Sequence, residues 1–243
     1  MYDPADVIAR INEPYVPLLV FTAVAWIAGF VQIVQGFRGG LRDGVPAAPI
    51  GMTAFLLAHD GSFALRYDYW VNDVGTWYFT LFWVGMVISV VIELAMVRQF
   101  LVLGQPLVAP HLPRWVFVGT YVLLQVFAFA GVWWLQSVLD DPLYLVSLAG
   151  TQVVAVVFLV PWILNRGNAL GQSRAFAWAT VIGPGGLALG LFPALSPELF
   201  DDARYWFLVA SLVTLSITYL ALLEHHLRAD ERDAQWSRVD GGV

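Results

Sequence analysis

Long apolar stretches limit what this chain can fold into more than any other feature of its sequence. They follow one another with only short polar connections between them. A helix needs about 20 mostly apolar residues to cross the hydrocarbon core of a bilayer. The sequence therefore predicts an all-α integral membrane protein, a single bundle of seven transmembrane helices, with spans at 15–34, 47–65, 75–97, 115–138, 143–164, 175–195 and 205–223.

The composition agrees with this class, because 59% of the 243 residues are hydrophobic and only 12% are charged. Soluble domains contain about twice that share of charge. We expect one transmembrane domain over residues 1–228, followed by a charged cytoplasmic tail over 229–243. Pro184 lies among glycines inside the sixth predicted span, so that helix should kink or partly unwind.

The arginines are unevenly divided between the two sides of the predicted bundle. The connections after spans one, three and five, together with the tail, contain every arginine except Arg10, Arg66 and Arg204. Cytoplasmic loops are the ones enriched in basic residues. We therefore expect an N-terminus outside and a C-terminus in the cytoplasm, in a multi-pass protein of the bacterial cell membrane.

Two missing residue types exclude whole classes of protein. The chain has no cysteine, which excludes disulfides, thiol catalysis and thiolate metal sites. It also has no lysine, so it cannot form the retinal Schiff base of a rhodopsin-type pigment. We find no phosphate-binding glycine loop, zinc motif or basic tract for nucleic acid, and we expect neither a cofactor nor a metal ion.

Two acidic side chains fall inside predicted spans, where a charge is costly and marks a candidate functional site. Asp60 lies well inside span two beside His59, in "AHDGSF"; a structural hydrogen bond to a neighbouring helix is the alternative. Glu93 lies about one turn from the cytoplasmic end of span three. It could contact a substrate, or it could reach the interface or pair with Arg98.

Aromatic residues near Asp60 indicate the chemistry that this acid could support. Aromatic faces stabilise a passing positive charge, and a carboxylic acid in an apolar cavity can donate a proton. Helical spacing places four residues on the face of Asp60: Thr53, Leu56, Phe63 and Tyr67.

Eight of the eleven tryptophans fall into two groups by position. Trp26 and Trp83 lie nearer to mid-membrane and are candidates for lining a pocket, although ordinary helix packing is the alternative. Tryptophans near the ends of spans are expected at the membrane interfaces; these are Trp70, Trp77, Trp115, Trp133, Trp134 and Trp206.

Two stretches resemble one family, the small seven-helix integral membrane terpene cyclases of the meroterpenoid and indole sesquiterpene type. The first is "GFRGGLRDGVPAAPIGMTAFLLAHDGSF". There Arg42 and Asp43 precede Pro49 by the spacing of that family, and His59–Asp60 stand where the family has a tryptophan–glutamate pair. The second, "LNRGNALGQSRAFAW", is similar to a connection with a Gly-Gln-Ser signature, here 171–173.

The resemblance implies a metal-independent reaction in which an acid protonates the terminal epoxide or alkene of a bound isoprenoid. Asp60, tuned by His59, would take the role of the essential glutamate. A second family acid precedes a tyrosine of the last helix by three residues. Here Tyr219 matches that tyrosine, but the position of the acid is Ser216.

The implied substrate is an isoprenoid or a prenylated small molecule, supplied by a prenyltransferase or an epoxidase of the same pathway. Membrane lipid is the other expected partner, and nucleic acid is not expected. Because Ser216 cannot carry a proton as an acid does, two alternatives remain open. One is a non-catalytic protein that binds lipid or isoprenoid, or a small transporter; the other is a structural membrane subunit.

Overall fold

In the computed structural model, the described part of the chain is residues 2–13 and 16–240, with side chains described for 2–13 and 18–230. All regular structure in this part is helical. The first half contains α1 (Pro4–Asn12), α2 (Val16–Asp43), α3 (Ile50–Ala64), a π-helical turn π1 (Tyr69–Asp73), α4 (Trp77–Leu103) and α5 (Gln105–Val108). The second half contains α6 (Arg114–Leu139), α7 (Leu145–Val157), α8 (Leu159–Arg166), α9 (Arg174–Gly186), a second π-helical turn π2 (Leu187–Leu191), α10 (Phe192–Leu195), α11 (Pro197–Phe200) and α12 (Ala203–Asp240).

Six helical segments of the described chain are long and apolar enough to cross a membrane, which indicates a multi-pass membrane protein. They are Leu18–Asp43, Trp77–Leu103, Arg114–Leu139, Leu145–Arg166, Arg174–Leu195 and Ala203–Asp230. The predicted all-α class with long apolar helices is thus confirmed for the described residues, with six such helices where the sequence predicted seven spans.

The second predicted span, 47–65, is longer than the helix that forms there. α3 has only 15 residues, and at 1.5 Å per residue it is about 22 Å long. It begins directly after Pro49, whose ring fixes φ and whose nitrogen has no proton to donate.

α3 is buried in the middle of the bundle, where it packs against α4, α6 and α7. Ten of its 15 residues are buried, on all sides of the helix. Its last carbonyl groups have no partner within the helix, and two indoles supply donors. Trp70 Nε1 donates to the carbonyl of Phe63 at 3.0 Å, and Trp83 Nε1 donates to the carbonyl of Ala64 at 2.9 Å.

Prolines interrupt the fourth and fifth of these six long segments. Pro161 cannot donate a backbone hydrogen bond, and the helix breaks at Phe158 between α7 and α8. Pro184 lies near the end of α9, which continues as the π-helical turn π2. The predicted irregularity at Pro184 is confirmed, and Gly183, Pro184 and Leu187 line a partly open cavity there, where irregular backbone inside a membrane protein is tolerated.

The outer surface of the bundle is apolar, as a lipid-facing surface must be. Phe207, Phe127 and Trp115 are each more than 70% exposed. Trp70 is an exception to the expectation that tryptophans near the ends of spans face the interface. It is fully buried and stacks on Phe63 with 4.0 Å between ring centroids.

The predicted cytoplasmic tail, 229–243, begins within α12. The helix continues without a break from Ala203 to Asp240. Residues 241–243 of the tail lie outside the described residues.

The N-terminal segment is attached to the bundle through Asp141, which precedes α7 and is 3% exposed. Tyr2 donates its hydroxyl proton to Asp141 Oδ1 at 2.7 Å, and the backbone N–H of Ser147 donates to Oδ2 at 2.8 Å. Burial, followed by the nearby Asp141 charge, raises the pKa of the Tyr2 phenol. The phenol therefore stays protonated and remains a hydrogen-bond donor.

We expect Asp141→Asn to lower the free energy of unfolding by about 1–3 kcal/mol, because an amide cannot accept at both former oxygens and leaves a buried donor unpaired. Thermal unfolding in detergent, followed by tryptophan fluorescence, measures the effect. Asp140→Asn is the matched control: this neighbour is exposed, and asparagine tolerates its left-handed backbone at φ 46°. Equal melting temperatures for the two variants would contradict the role given to Asp141.

Candidate functional site

A partly open cavity of about 120 Å³ lies between α2, α3, α4, α7 and α9. Its walls are mostly apolar, and three aromatic side chains form part of them: Trp26, Phe30 and Phe82. The rings of Trp26 and Phe82 lie 5.2 Å apart. The six-membered ring of Trp26 lies over Gly85, where an added Cβ would stand 3.3 Å from it. Glycine at this position therefore allows the aromatic wall to form.

Asp60 lies on α3 and lines this cavity. One of its carboxyl oxygens, Oδ1, is 2.8 Å from Nδ1 of His59, the preceding residue. The imidazole is fully buried, and it meets the ring of Tyr144 in an edge contact with 5.9 Å between ring centroids. Nε2 of His59 has no hydrogen-bond partner among the described residues. The pair predicted from the sequence is thus in contact, and only Asp60 faces the cavity.

Glu93 lies on α4 and lines the same cavity, as well as a second one of about 30 Å³. Its side chain is 5% exposed, and its Oε2 has no hydrogen-bond partner within the described part of the chain. The alternative in which Glu93 reaches the interface or Arg98 is wrong. α4 extends to Leu103, so Glu93 lies ten residues before the end of the helix and faces the interior.

The other aromatic candidates lie outside this cavity. Phe63 is fully buried against Trp70, and Trp83 is committed to the end of α3 through its hydrogen bond to Ala64. Tyr67 is 47% exposed and meets Trp83 edge-on at 5.0 Å. Of the aromatic residues singled out in the sequence, Trp26 is the one that lines the cavity.

Ser216 and Tyr219 lie on α12, and within the described residues neither lines the cavity that contains Asp60. The Ser216 hydroxyl donates to the carbonyl of Leu212 in its own helix at 2.9 Å. Tyr219 is fully buried in a separate apolar cluster, with its ring 6.1 Å from that of Phe176. The structure does not bring these two residues to the Asp60 carboxyl.

A scan against protein-family models, a search of curated proteins and a search of solved structures return no match for this chain. The functional interpretation therefore depends on its own residues and their geometry.

The two stretches that resemble the cyclase family meet at one end of the bundle. Asp43 accepts a hydrogen bond from the backbone N–H of Gly171 at 2.7 Å. The Gln172 side chain donates to the carbonyl of Ala47 at 3.0 Å, and Ser173 caps α9 by accepting from the N–H of Phe176. These hydrogen bonds hold the connection before α3 against the connection before α9, and so they help to position α3.

Helical spacing in the sequence indicates several further cavity residues that were not among the predicted site residues. Counting back from Glu93 by helical spacing gives Ser89, Met86, Gly85 and Phe82, which all line the cavity. Residues contributed by α7, such as Thr151 and Gln152, could not have been found in this way, because their approach depends on how the helices pack. Among the described residues, no group of three or more His, Asp and Glu side chains is placed to hold a metal ion.

Proposed function

We propose that this protein is a membrane enzyme of the terpene cyclase type, which cyclises an isoprenoid or prenylated small molecule in a metal-independent reaction started by a proton. One observation carries the proposal: two buried carboxyl groups, Asp60 and Glu93, face one mostly apolar cavity with aromatic walls. An intramembrane acid is costly to maintain and is a functional candidate by default.

The cavity has the components that such a reaction requires. A carboxylic acid can protonate a terminal alkene or epoxide. The carbocation that results would pass close to Trp26, Phe30 and Phe82, whose π faces attract positive charge. Mostly apolar walls also keep water away from the cation. With water present, the cation would react with it and give an alcohol.

The size of the cavity limits which part of a substrate it can hold. An apolar cavity of about 150 Å³ accommodates a benzene molecule, so one of about 120 Å³ has room for the reacting end of an isoprenoid. The remainder of a longer chain would lie between helices or in the surrounding lipid. We therefore place the terminal alkene or epoxide in the cavity and expect the substrate to enter from the bilayer.

The proposal includes a membrane arrangement. Six long helices with α3 as a seventh, buried element would make a seven-helix bundle of the bacterial cell membrane, with the N-terminus outside and the C-terminus in the cytoplasm. The arginine distribution supports this orientation. A prenyltransferase or an epoxidase would supply the substrate, because the reaction consumes a prenyl chain or its terminal epoxide.

Asp60→Asn tests the proposal. Membranes containing the protein are incubated with farnesyl- and geranylgeranyl-substituted phenols and indoles and with their terminal epoxides, and cyclic products are measured by mass spectrometry. We expect the variant to form at least about 100-fold less of the wild-type cyclic product, because general acid–base catalysis typically contributes at least that factor to the rate. Asp73→Asn, at an exposed position of π1, is the matched control and should retain the product.

Wild-type membranes that form no cyclic product from any of these substrates would overturn the proposal. In that case, native mass spectrometry could show a bound isoprenoid or lipid that is released chemically unchanged and still binds the Asp60→Asn variant. That result would identify the non-catalytic binding protein that the sequence left open.

A further inference from the structure

The two carboxyl groups of the cavity have different surroundings. From this difference we infer that Glu93 is the proton donor that starts the reaction. Asp60, held by His59, is the proton acceptor that ends it. This inference rests on the proposed function. It also reverses the expectation that Asp60 is the acid, and it gives Glu93 a catalytic role that the sequence alone did not indicate.

The contact between His59 and Asp60 determines which oxygen of the Asp60 carboxyl group is free. A neutral imidazole has one N–H, at either Nδ1 or Nε2. A proton on Nδ1 is donated to Asp60 Oδ1 at 2.8 Å, and Nε2 then keeps only an unused lone pair. A proton on Nε2 would be a buried donor with no acceptor among the described residues, an arrangement that folded proteins rarely tolerate. His59 is therefore the donor, and its hydrogen bond to Oδ1 leaves Oδ2 of Asp60 as the oxygen that can accept a proton from the cavity.

Glu93 has no neighbouring hydrogen-bond donor comparable to His59 among the described residues. Its carboxyl group is buried, its Oε2 lacks a hydrogen-bond partner, and no salt bridge to it occurs among the described side chains. An unpaired carboxylate at such a site would be costly, and a second carboxyl group, that of Asp60, faces the same cavity. Glu93 is therefore a neutral carboxylic acid that carries a proton into the cavity.

The two roles complete a balanced reaction. The Glu93 O–H bond breaks as its proton bonds to the terminal alkene carbon or the epoxide oxygen. The resulting cation is attacked by the π electrons of the next alkene, and a carbon–carbon bond closes one ring at the end of the chain that the cavity holds. The cation of this ring loses a C–H proton to Oδ2 of Asp60, the oxygen not engaged by His59, and the C–H electrons form a new double bond.

Return of the proton from Asp60 to Glu93 restores the resting enzyme. The substrate is isomerised, and no electron donor, electron acceptor or metal ion takes part. His59 acts through Asp60 as a positioning residue, because its N–H occupies Oδ1 and leaves Oδ2 to accept the proton in the final step.

Infrared spectroscopy of the purified resting protein in detergent at neutral pH tests the assignment without substrate. A protonated carboxylic acid gives a carbonyl stretching band that carboxylates lack. We expect this band in the wild type and in Asp60→Asn, and we expect it to be lost in Glu93→Gln. Glu93→Asp should keep the band at a shifted frequency. A band that is lost in Asp60→Asn and kept in Glu93→Gln would overturn the assignment, and so would the absence of any band in the wild type.

His59→Leu tests the positioning role. Without its donor, Asp60 should take up a proton, and a second carboxylic-acid band should appear in the spectrum. A purely structural histidine would leave the number of bands unchanged, and that result would overturn the role of His59.

Substrate consumption separates donor from acceptor. We expect Glu93→Gln to consume substrate at least 100-fold more slowly than the wild type. Asp60→Asn should still consume it, but release products other than the normal cyclic alkene, because the final C–H proton has lost its acceptor. The opposite pattern would overturn the inference. If the wild type consumes no substrate, the proposed function fails, whereas the infrared bands still decide which carboxyl group holds the proton.

Discussion

Replacing Ser89 with phenylalanine is expected to abolish cyclic product formation while both carboxyl groups stay in place. Ser89 lies one helical turn before Glu93 on α4, and both line the cavity. A phenyl ring would occupy most of a space of about 120 Å³, which is smaller than a cavity of about 150 Å³ that holds a benzene molecule. A reacting end displaced by only about 1 Å already costs on the order of 100-fold in rate, so complete exclusion should leave no measurable turnover.

The measurement is product formation in membranes by mass spectrometry, with a melting temperature for each variant to verify folding. Ile88→Phe is the matched control, because Ile88 is the preceding residue of α4 and is 47% exposed on the outside of the bundle. It should keep wild-type turnover. A folded Ser89→Phe protein that still forms the normal product would show that the reaction takes place elsewhere.

Gly39→Ala is expected to cause the largest loss of stability. Gly39 lies on α2 where the helix meets the connection before α9, and an added Cβ would stand 2.4 Å from the carbonyl oxygen of Gly171. The obstacle is backbone, which cannot rotate away as a side chain can. We expect the free energy of unfolding to fall by at least about 3 kcal/mol, the upper end for overpacking. The hydrogen bond between Asp43 and Gly171 should weaken with it.

Unfolding is followed in detergent as an apparent melting temperature at one fixed heating rate, because unfolding of membrane proteins can be irreversible. Gly119→Ala is the control: this glycine lies inside α6 with nothing within 4 Å of an added Cβ. That change should be neutral or slightly stabilising, since alanine favours helix by up to about 1 kcal/mol. A wild-type melting temperature for Gly39→Ala would mean that α2 and this connection do not pack closely.

The general architecture could be predicted because it depends on local chemistry. Apolar stretches of sufficient length identified the six long helical segments, and Pro184 among glycines predicted the irregular turn after α9. The ends of helices were less predictable, because hydropathy marks where polarity changes and not where hydrogen bonding stops. α4 continues through Arg98 to Leu103, six residues beyond the predicted end of its span. This difference led the sequence interpretation to place Glu93 near an interface.

The candidate site could be predicted only where it depends on residues that are neighbours in the sequence. The His59–Asp60 contact joins adjacent residues, and the sequence was sufficient to propose it. The meeting of Asp60 with Glu93 depends on how α3 packs against α4, and no spacing along one helix indicates it. Trp70 illustrates the same limit. A tryptophan near the end of a span is expected at the interface, but stacking on Phe63 buries this one.

The short length of α3 also affects how the protein is made. A segment of 15 residues that includes His59 and Asp60 is a poor substrate for insertion on its own, because each polar residue adds to the cost of leaving water. Its two terminal carbonyls are satisfied by Trp70 and Trp83, which are synthesised after it. We therefore expect α3 to enter the bilayer together with α4, so that both carboxyl groups of the cavity become buried in the same step of biogenesis.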